Sequence, residues 1–151
     1  MTEKTALRRN KPSLPVQYLL ARGLLSGEGL DYGCGYGYDA SYLDIDAYDT
    51  YYQPKWPEKQ YDYILCNYVL NVIERKDDRL TVLRKINTLL KPDGILYLSV
   101  TCDRHKLNGE TLIGTWQGYI EFDFEVLNQG RHGFTLYRIT KEDLERFLNE
   151  N

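Results

Sequence analysis

The chain has 151 residues, 42% of them hydrophobic and 27% charged, the size and balance of one globular domain. Nineteen Lys plus Arg against 22 Asp plus Glu give a net charge of −3, which excludes a global positive field for nucleic acid. No apolar run approaches the roughly 20 residues that span a bilayer, and residues 1–13 lack the apolar segment of a signal peptide, so the cytoplasm is the expected compartment.

Residues 1–13 carry Lys4, Arg8, Arg9 and Lys11 against one acid, Glu3. They read as a basic arm, either a frayed terminus or a docking segment. Ser13 is a plausible N-cap with Pro15 in the first turn, and Val16, Leu19, Leu20 and Leu24 recur at helical spacing, which predicts a helix over 14–25. A first strand follows at 29–32, a very short helix at 39–43 and a second strand at 45–49. Residues 54–60 are polar with two prolines, too short for a further strand and crossover helix, so one strand–helix unit is expected to be missing here.

YDYILCN, residues 61–67, has the apolar centre of a buried parallel strand. Leu80, Leu83, Ile86 and Leu90 form one face of a helix over 77–90, KPDG is a turn, and 95–100 is another buried strand. Strands at 122–127 and 134–139 flank NQGRHG, a hairpin signal, and Thr140 caps a last helix with Leu144, Phe147 and Leu148 as its buried stripe. The predicted fold is a Rossmann-like, doubly wound α/β sheet, mostly parallel, with an antiparallel hairpin at its C-terminal end.

The chemistry concentrates in LDYGCGYGYDA, residues 30–40. Asp31, Gly33, Cys34, Gly35 and Gly37 fall where a strand turns into a helix, and glycines there allow positive φ and close approach of a ligand to the main chain. Gly35, Gly37 and Ala40 satisfy G-x-G-x-x-G/A, a dinucleotide pattern that leaves an NAD-dependent oxidoreductase open. The second strand carries two acids, Asp46 within it and Asp49 where the strand pattern stops, with Thr50, Tyr51 and Tyr52 following.

The whole stretch more closely resembles the D-x-G-x-G-x-G turn of class I S-adenosylmethionine-dependent methyltransferases. CNYVLNVIE (66–74) and KPDGILYLSV (91–100) resemble the segments after the fourth strand and across the fifth in that family. Taken with the arm, YDTYYQP and GTWQGYI, the pattern is similar to the methyltransferases associated with DNA phosphorothioation systems, of which this chain looks like a short version.

The resemblance implies S-adenosylmethionine as cofactor, with Asp31, Gly33, Cys34, Gly35, Gly37, Asp49, Thr50, Tyr51 and Asn67 lining its site. It implies that Asp49 takes both ribose hydroxyls, that Tyr51 or Tyr52 stacks on the adenine, and that Lys59 and Gln60 help Tyr51 and Tyr52 to replace a lost wall. Asn67, Tyr68 and Asn71 are the candidates beside the reacting methyl group, since methyl transfer needs alignment and charge stabilisation more than a nucleophile. Trp116, Gln117 and Tyr119 are candidates for the acceptor pocket, and Arg8 and Arg9 for a cofactor carboxylate or a substrate phosphate.

The methyl acceptor is expected to be a small molecule or a nucleic-acid component; amino methylation of DNA and cytosine C5 methylation are disfavoured, since neither D/N-P-P-Y nor Pro-Cys is present. A catalytically silent module that binds the cofactor is the alternative. His105 and His132 lie in polar loops without a paired acid. Cys34, Cys66 and Cys102 lack C-x-x-C spacing, so no metal site is expected and the thiols should be reduced.

Overall fold

The computed structural model describes residues 10–102, 109–110 and 116–151. Chain order is α1 (Leu14–Ala21), β1 (Gly29–Tyr32), α2 (Tyr38–Leu43), β2 (Asp46–Tyr48), β3 (Tyr61–Asn67), a 3₁₀ turn (Leu70–Val72) and α3 (Lys76–Leu89). There follow β4 (Leu90–Thr101), β5 (Gly109–Glu110), β6 (Trp116–Gln117), β7 (Glu125–Gln129), β8 (Phe134–Thr140) and α4 (Lys141–Asn149). A six-stranded sheet runs β2-β1-β3-β4-β8-β7, and β5 pairs with β6 separately. β2, β1, β3 and β4 are parallel; β8 pairs antiparallel with β4 and β7 antiparallel with β8, so β8 alone runs against the other strands of this sheet.

β3 is central because its side chains are apolar on both faces. Ile64 and Cys66 pack with Leu83, Ile86 and Leu144 on the side of α3 and α4. Tyr63 and Leu65 pack with Val16 and Leu19 of α1 on the other. A strand buried on both sides must be covered by helices on both faces, which is what a doubly wound sheet supplies.

α1 stops four residues earlier than its apolar spacing predicts. Gly23 takes φ 63, its N–H reaches Leu20 O at 3.1 Å and Leu24 N–H reaches Leu19 O at 3.1 Å, the two bonds of a Schellman stop. KPDG does turn, but inside β4 rather than before it: Tyr61 faces Leu90 and Tyr63 faces Ile95, so residues 91–94 bulge opposite Asp62. Lys91 Nζ closes the bulge on Asp62 Oδ1 at 3.2 Å.

The hairpin strand predicted at 122–127 is displaced to β7, because Phe122 and Phe124 turn their rings onto Tyr137 and Phe147. Asp143 N–H donates to Thr140 Oγ1 at 3.1 Å, the cap expected for α4. None of the described helices is long and apolar enough to cross a membrane.

Between β2 and β3 there is neither helix nor strand, only an Asp49–Gln53 bridge, and β2 is the sheet edge. One strand–helix unit is therefore missing, as the short polar stretch predicts. Trp56 takes up part of its role by packing edge-on against Tyr48 (5.1 Å) and Tyr32 (6.3 Å) on the α3 side of the sheet. Much of the unusual tyrosine content is thus packing: Tyr32, Tyr48, Tyr61, Tyr63, Tyr97 and Tyr137 are all buried.

Lys59 and Gln60 do not wall a pocket. Lys59 Nζ lies 2.6 Å from Glu28 just ahead of β1 and 3.7 Å from Asp46 at the start of β2, and Gln60 donates to Thr88 O. Both sit at the opposite end of the sheet from the glycine turn, because the 50–60 segment must return the chain to the start of β3.

Candidate active site

The carboxyl ends of β1, β2, β3 and β4 converge on the glycine turn. Gly33, Gly35 and Gly37 have φ of 79, 58 and 85°, the left-handed region where a side chain is strained. Gly33 is doubly constrained, since a Cβ there would lie 2.3 Å from Val69 Cγ2. The loop after β3 therefore rests directly on the turn.

Hydrogen bonds stitch the turn to β2. Gly33 and Cys34 N–H both donate to Tyr48 O, at 2.7 and 3.0 Å. Asp49, 6% exposed, accepts from Gly35 N–H through Oδ2 at 2.9 Å and from Tyr51 and Tyr52 N–H through Oδ1 at 2.9 and 3.0 Å. Its rival Asp46 is at the other end of β2, where it accepts from the Tyr61 hydroxyl at 2.7 Å. Thr50 and Tyr51 lie exposed in the tight turn of 49–53, and Tyr36 packs against Tyr52 at 4.7 Å.

Asp31 is buried on β1 between Ala47 and Leu65. Burial, followed by the charges of Asp31 and Asp49, pushes the Cys34 thiol up to about 12. A thiol stays protonated below its pKa, so at pH 8 only about one Cys34 in 10⁴ is thiolate. Iodoacetamide is accordingly expected to label Cys34 at least about 100-fold more slowly than free cysteine at pH 8, read by mass spectrometry.

Behind the turn, Asp39 at the start of α2 accepts from Ser13 N–H at 2.8 Å and from Ser13 Oγ–H at 2.6 Å. Ser13 thus serves as an anchor between helices; its hydroxyl makes no cap bond within α1. Asp39→Ala is expected to cost about 2 kcal/mol, measured by urea unfolding, because it strands a buried Ser13 whose two donors lose a charged partner.

At the end of β3, Asn67 Oδ1 accepts from buried Ser99 Oγ at 2.8 Å, while its buried Nδ2 has no partner among the described residues. Tyr68 follows with φ 60, uncommon outside glycine and typical of functional loops. Asn71, 2% exposed, donates through Nδ2 to Gln117 Oε1 at 3.0 Å and accepts Gly118 N–H on its main-chain oxygen at 2.7 Å; its Oδ1 has no partner among the described residues. Two candidate groups separated by 46 residues in sequence are therefore in contact. Trp116 is half-buried, with the Arg79 guanidinium 6.0 Å from its ring centroid, and the Tyr119 hydroxyl donates to Glu121.

Arg8, Arg9 and His105 lie outside the described residues. His132 is exposed in the β7–β8 turn at φ 64. Among the described residues no group of three His, Cys, Asp or Glu side chains could hold a metal ion. Ser99, Val69, Gln53 and the Ser13–Asp39 anchor escape sequence reasoning. Their importance depends on strand register and on which loops touch, and no local spacing encodes either.

A sheet in the order β2-β1-β3-β4-β8-β7, parallel but for β8 and with a stitched glycine turn after β1, matches the class I methyltransferase fold. The chain belongs to the methyltransferase-domain family, which it matches over residues 5–151. Among solved structures it is similar to the 1,6-didemethyltoxoflavin-N1-methyltransferase of Burkholderia thailandensis, at 18% identity and TM-score 0.56 over 83% of this chain and 76% of that one. It is also similar to a Thermotoga maritima protein described as a SAM-dependent methyltransferase and possible histamine N-methyltransferase (16%, TM-score 0.60, 85% and 88%). NodS of Bradyrhizobium japonicum, an N-methyltransferase solved with S-adenosyl-l-homocysteine, is a third (15%, TM-score 0.53, 83% and 84%). No curated protein matches the chain.

Proposed function

We propose that this protein is an S-adenosylmethionine-dependent methyltransferase acting on a small molecule, at a nitrogen or oxygen. The observation that carries the reading is a turn of three left-handed glycines after β1, touched by Val69 of the loop after β3, with Asn67 and Asn71 on either side of Val69 each keeping a buried polar atom that has no partner among the described residues. An unpartnered buried donor or acceptor costs about 1–3 kcal/mol, and beside a glycine turn open to a ligand, a ligand that supplies the partner accounts for it.

The residues fit the cofactor. Gly33, Cys34, Gly35 and Gly37 offer close main-chain approach, and Asp31 and Asp49 supply negative charge on either side of the turn. Thr50 and Tyr51 flank the nucleoside end, and Asn67 Nδ2 offers a donor. S-adenosylmethionine supplies a methyl group on a sulfonium sulfur. Asn67, Tyr68 and Asn71 orient the acceptor, while Gln117, Trp116 and Tyr119 border it.

Two of the similar proteins are N-methyltransferases and the third is described as a possible one, which supports nitrogen as the acceptor atom. The likeness of residues 4–25 and 30–37 to methyltransferases of DNA phosphorothioation systems supports a nucleic-acid component as the second acceptor class.

The test is thermal unfolding of the full chain with S-adenosylhomocysteine, NAD or neither. A ligand that binds the native state stabilises it by about 2.7 kcal/mol at 100 times its Kd. A rise in Tm with S-adenosylhomocysteine alone is the expected result; a rise with NAD alone overturns the proposal.

A further inference from the structure

We infer that Asp49 is the clamp that holds the cofactor cradle in shape, and that it takes no more than one ribose hydroxyl. The clamp itself rests only on the free protein; the ribose half rests on the cofactor reading above.

A carboxylate has roughly four lone-pair sites on its two oxygens. Asp49 fills two of them on Oδ1, with the N–H groups of Tyr51 and Tyr52, and one on Oδ2, with the N–H of Gly35. One site on Oδ2 is left, too few for two hydroxyls. The main chain of Asp49 is engaged as well, exchanging hydrogen bonds with Gln53 at 2.9 and 3.0 Å.

These contacts join the 49–53 turn to the glycine turn, which Gly33 and Cys34 N–H fasten separately to Tyr48 O. The 50–60 segment lacks the strand that would back it on the far side of β2, and β2 is three residues long. The Asp49 carboxylate is what ties residues 51–52 to the glycine turn, with the Tyr36–Tyr52 ring contact outside it and Gln53 Nε2 3.2 Å from the place of a Cβ on Gly37. A pure ribose ligand would have no effect on the free protein. A clamp holds the cradle before any ligand arrives, which is preorganisation of the site.

Asp49→Asn separates the two roles. Its Oδ1 still accepts from Tyr51 and Tyr52, but its NH₂ group meets the Gly35 N–H donor to donor and leaves that buried group unbonded. The experiment measures Tm of free wild type and Asp49→Asn, amide hydrogen exchange at Gly35 in the free wild type, and calorimetric affinities of both proteins for S-adenosylhomocysteine and its 2′-deoxy and 3′-deoxy analogues. The expected result is a Tm lower by at least about 3 °C in the variant, slow exchange of Gly35 N–H in the wild type, and an affinity loss that persists undiminished with at least one analogue. An unchanged Tm with fast Gly35 exchange overturns the clamp. A loss that shrinks with both analogues overturns the single-hydroxyl assignment. Wild type that binds none of the three ligands refutes the cofactor reading instead, and the Tm and exchange arms still decide the clamp.

Discussion

Gly33→Ala is expected to lower the free energy of unfolding by about 2–5 kcal/mol and to remove measurable S-adenosylhomocysteine binding. Two costs add. Holding an L-residue in the left-handed region costs about 1–2 kcal/mol, and overpacking against a neighbour adds about 1–3 kcal/mol. Both apply, since Gly33 has φ 79 and its added Cβ would lie 2.3 Å from Val69 Cγ2. Chemical denaturation checks the first number and calorimetry the second. Val69→Ala removes the clash but not the dihedral cost, so the penalty of Gly33→Ala in that background should fall by about half without vanishing.

Asn71→Leu is expected to cut methyl transfer by about 100-fold while leaving stability unchanged or raised. Removing a preorganised polar group at a reacting centre typically costs that factor or more. In the free protein, the substitution deletes a buried Oδ1 with no partner among the described residues and places an apolar side chain where only 2% of the residue is exposed. Gln117 Oε1 loses its partner but is on a half-buried residue that water can reach. Transfer of labelled methyl from S-adenosylmethionine into a small-molecule extract measures the first effect, and urea unfolding the second. A fall in stability by more than about 2 kcal/mol would make Asn71 a structural residue instead.

The two predictions differ in how far the sequence alone reaches them. Gly33 is readable as a glycine that a turn requires, because positive φ is a local property. The Val69 contact is not, because it needs β3 placed beside β1 so that the following loop lies on the turn. Asn71 is a candidate from its position after the strand, whereas its pairing with Gln117 depends on β6 returning to the 3₁₀ turn across 46 residues.

Element identity followed from local patterns, and so did some boundaries, but not those of α1 or of the first hairpin strand. β3 is found at its full extent, since a continuous apolar run bounded by polar residues has one reading. α1 runs on too far in the sequence because Leu24 continues the apolar stripe; Gly23 ends the helix, while Leu24 and Leu25 still pack against the core. The first hairpin strand is misplaced because two phenylalanines read as strand residues, and their rings are drawn onto Tyr137 and Phe147 instead.

By itself, the sequence of this protein determines a doubly wound sheet, the absence of one strand–helix unit, and a glycine turn built for close ligand approach. Those are matters of period, length and backbone freedom, carried by neighbouring residues. Only the tertiary structure decides that Asp49 spends its oxygens on main-chain N–H groups, that Ser13 is an anchor for Asp39, and that Trp56 packs where a helix would otherwise lie. Each of these depends on groups brought together from distant positions, and hydrogen-bond capacity is taken up by the donors that the fold places within range.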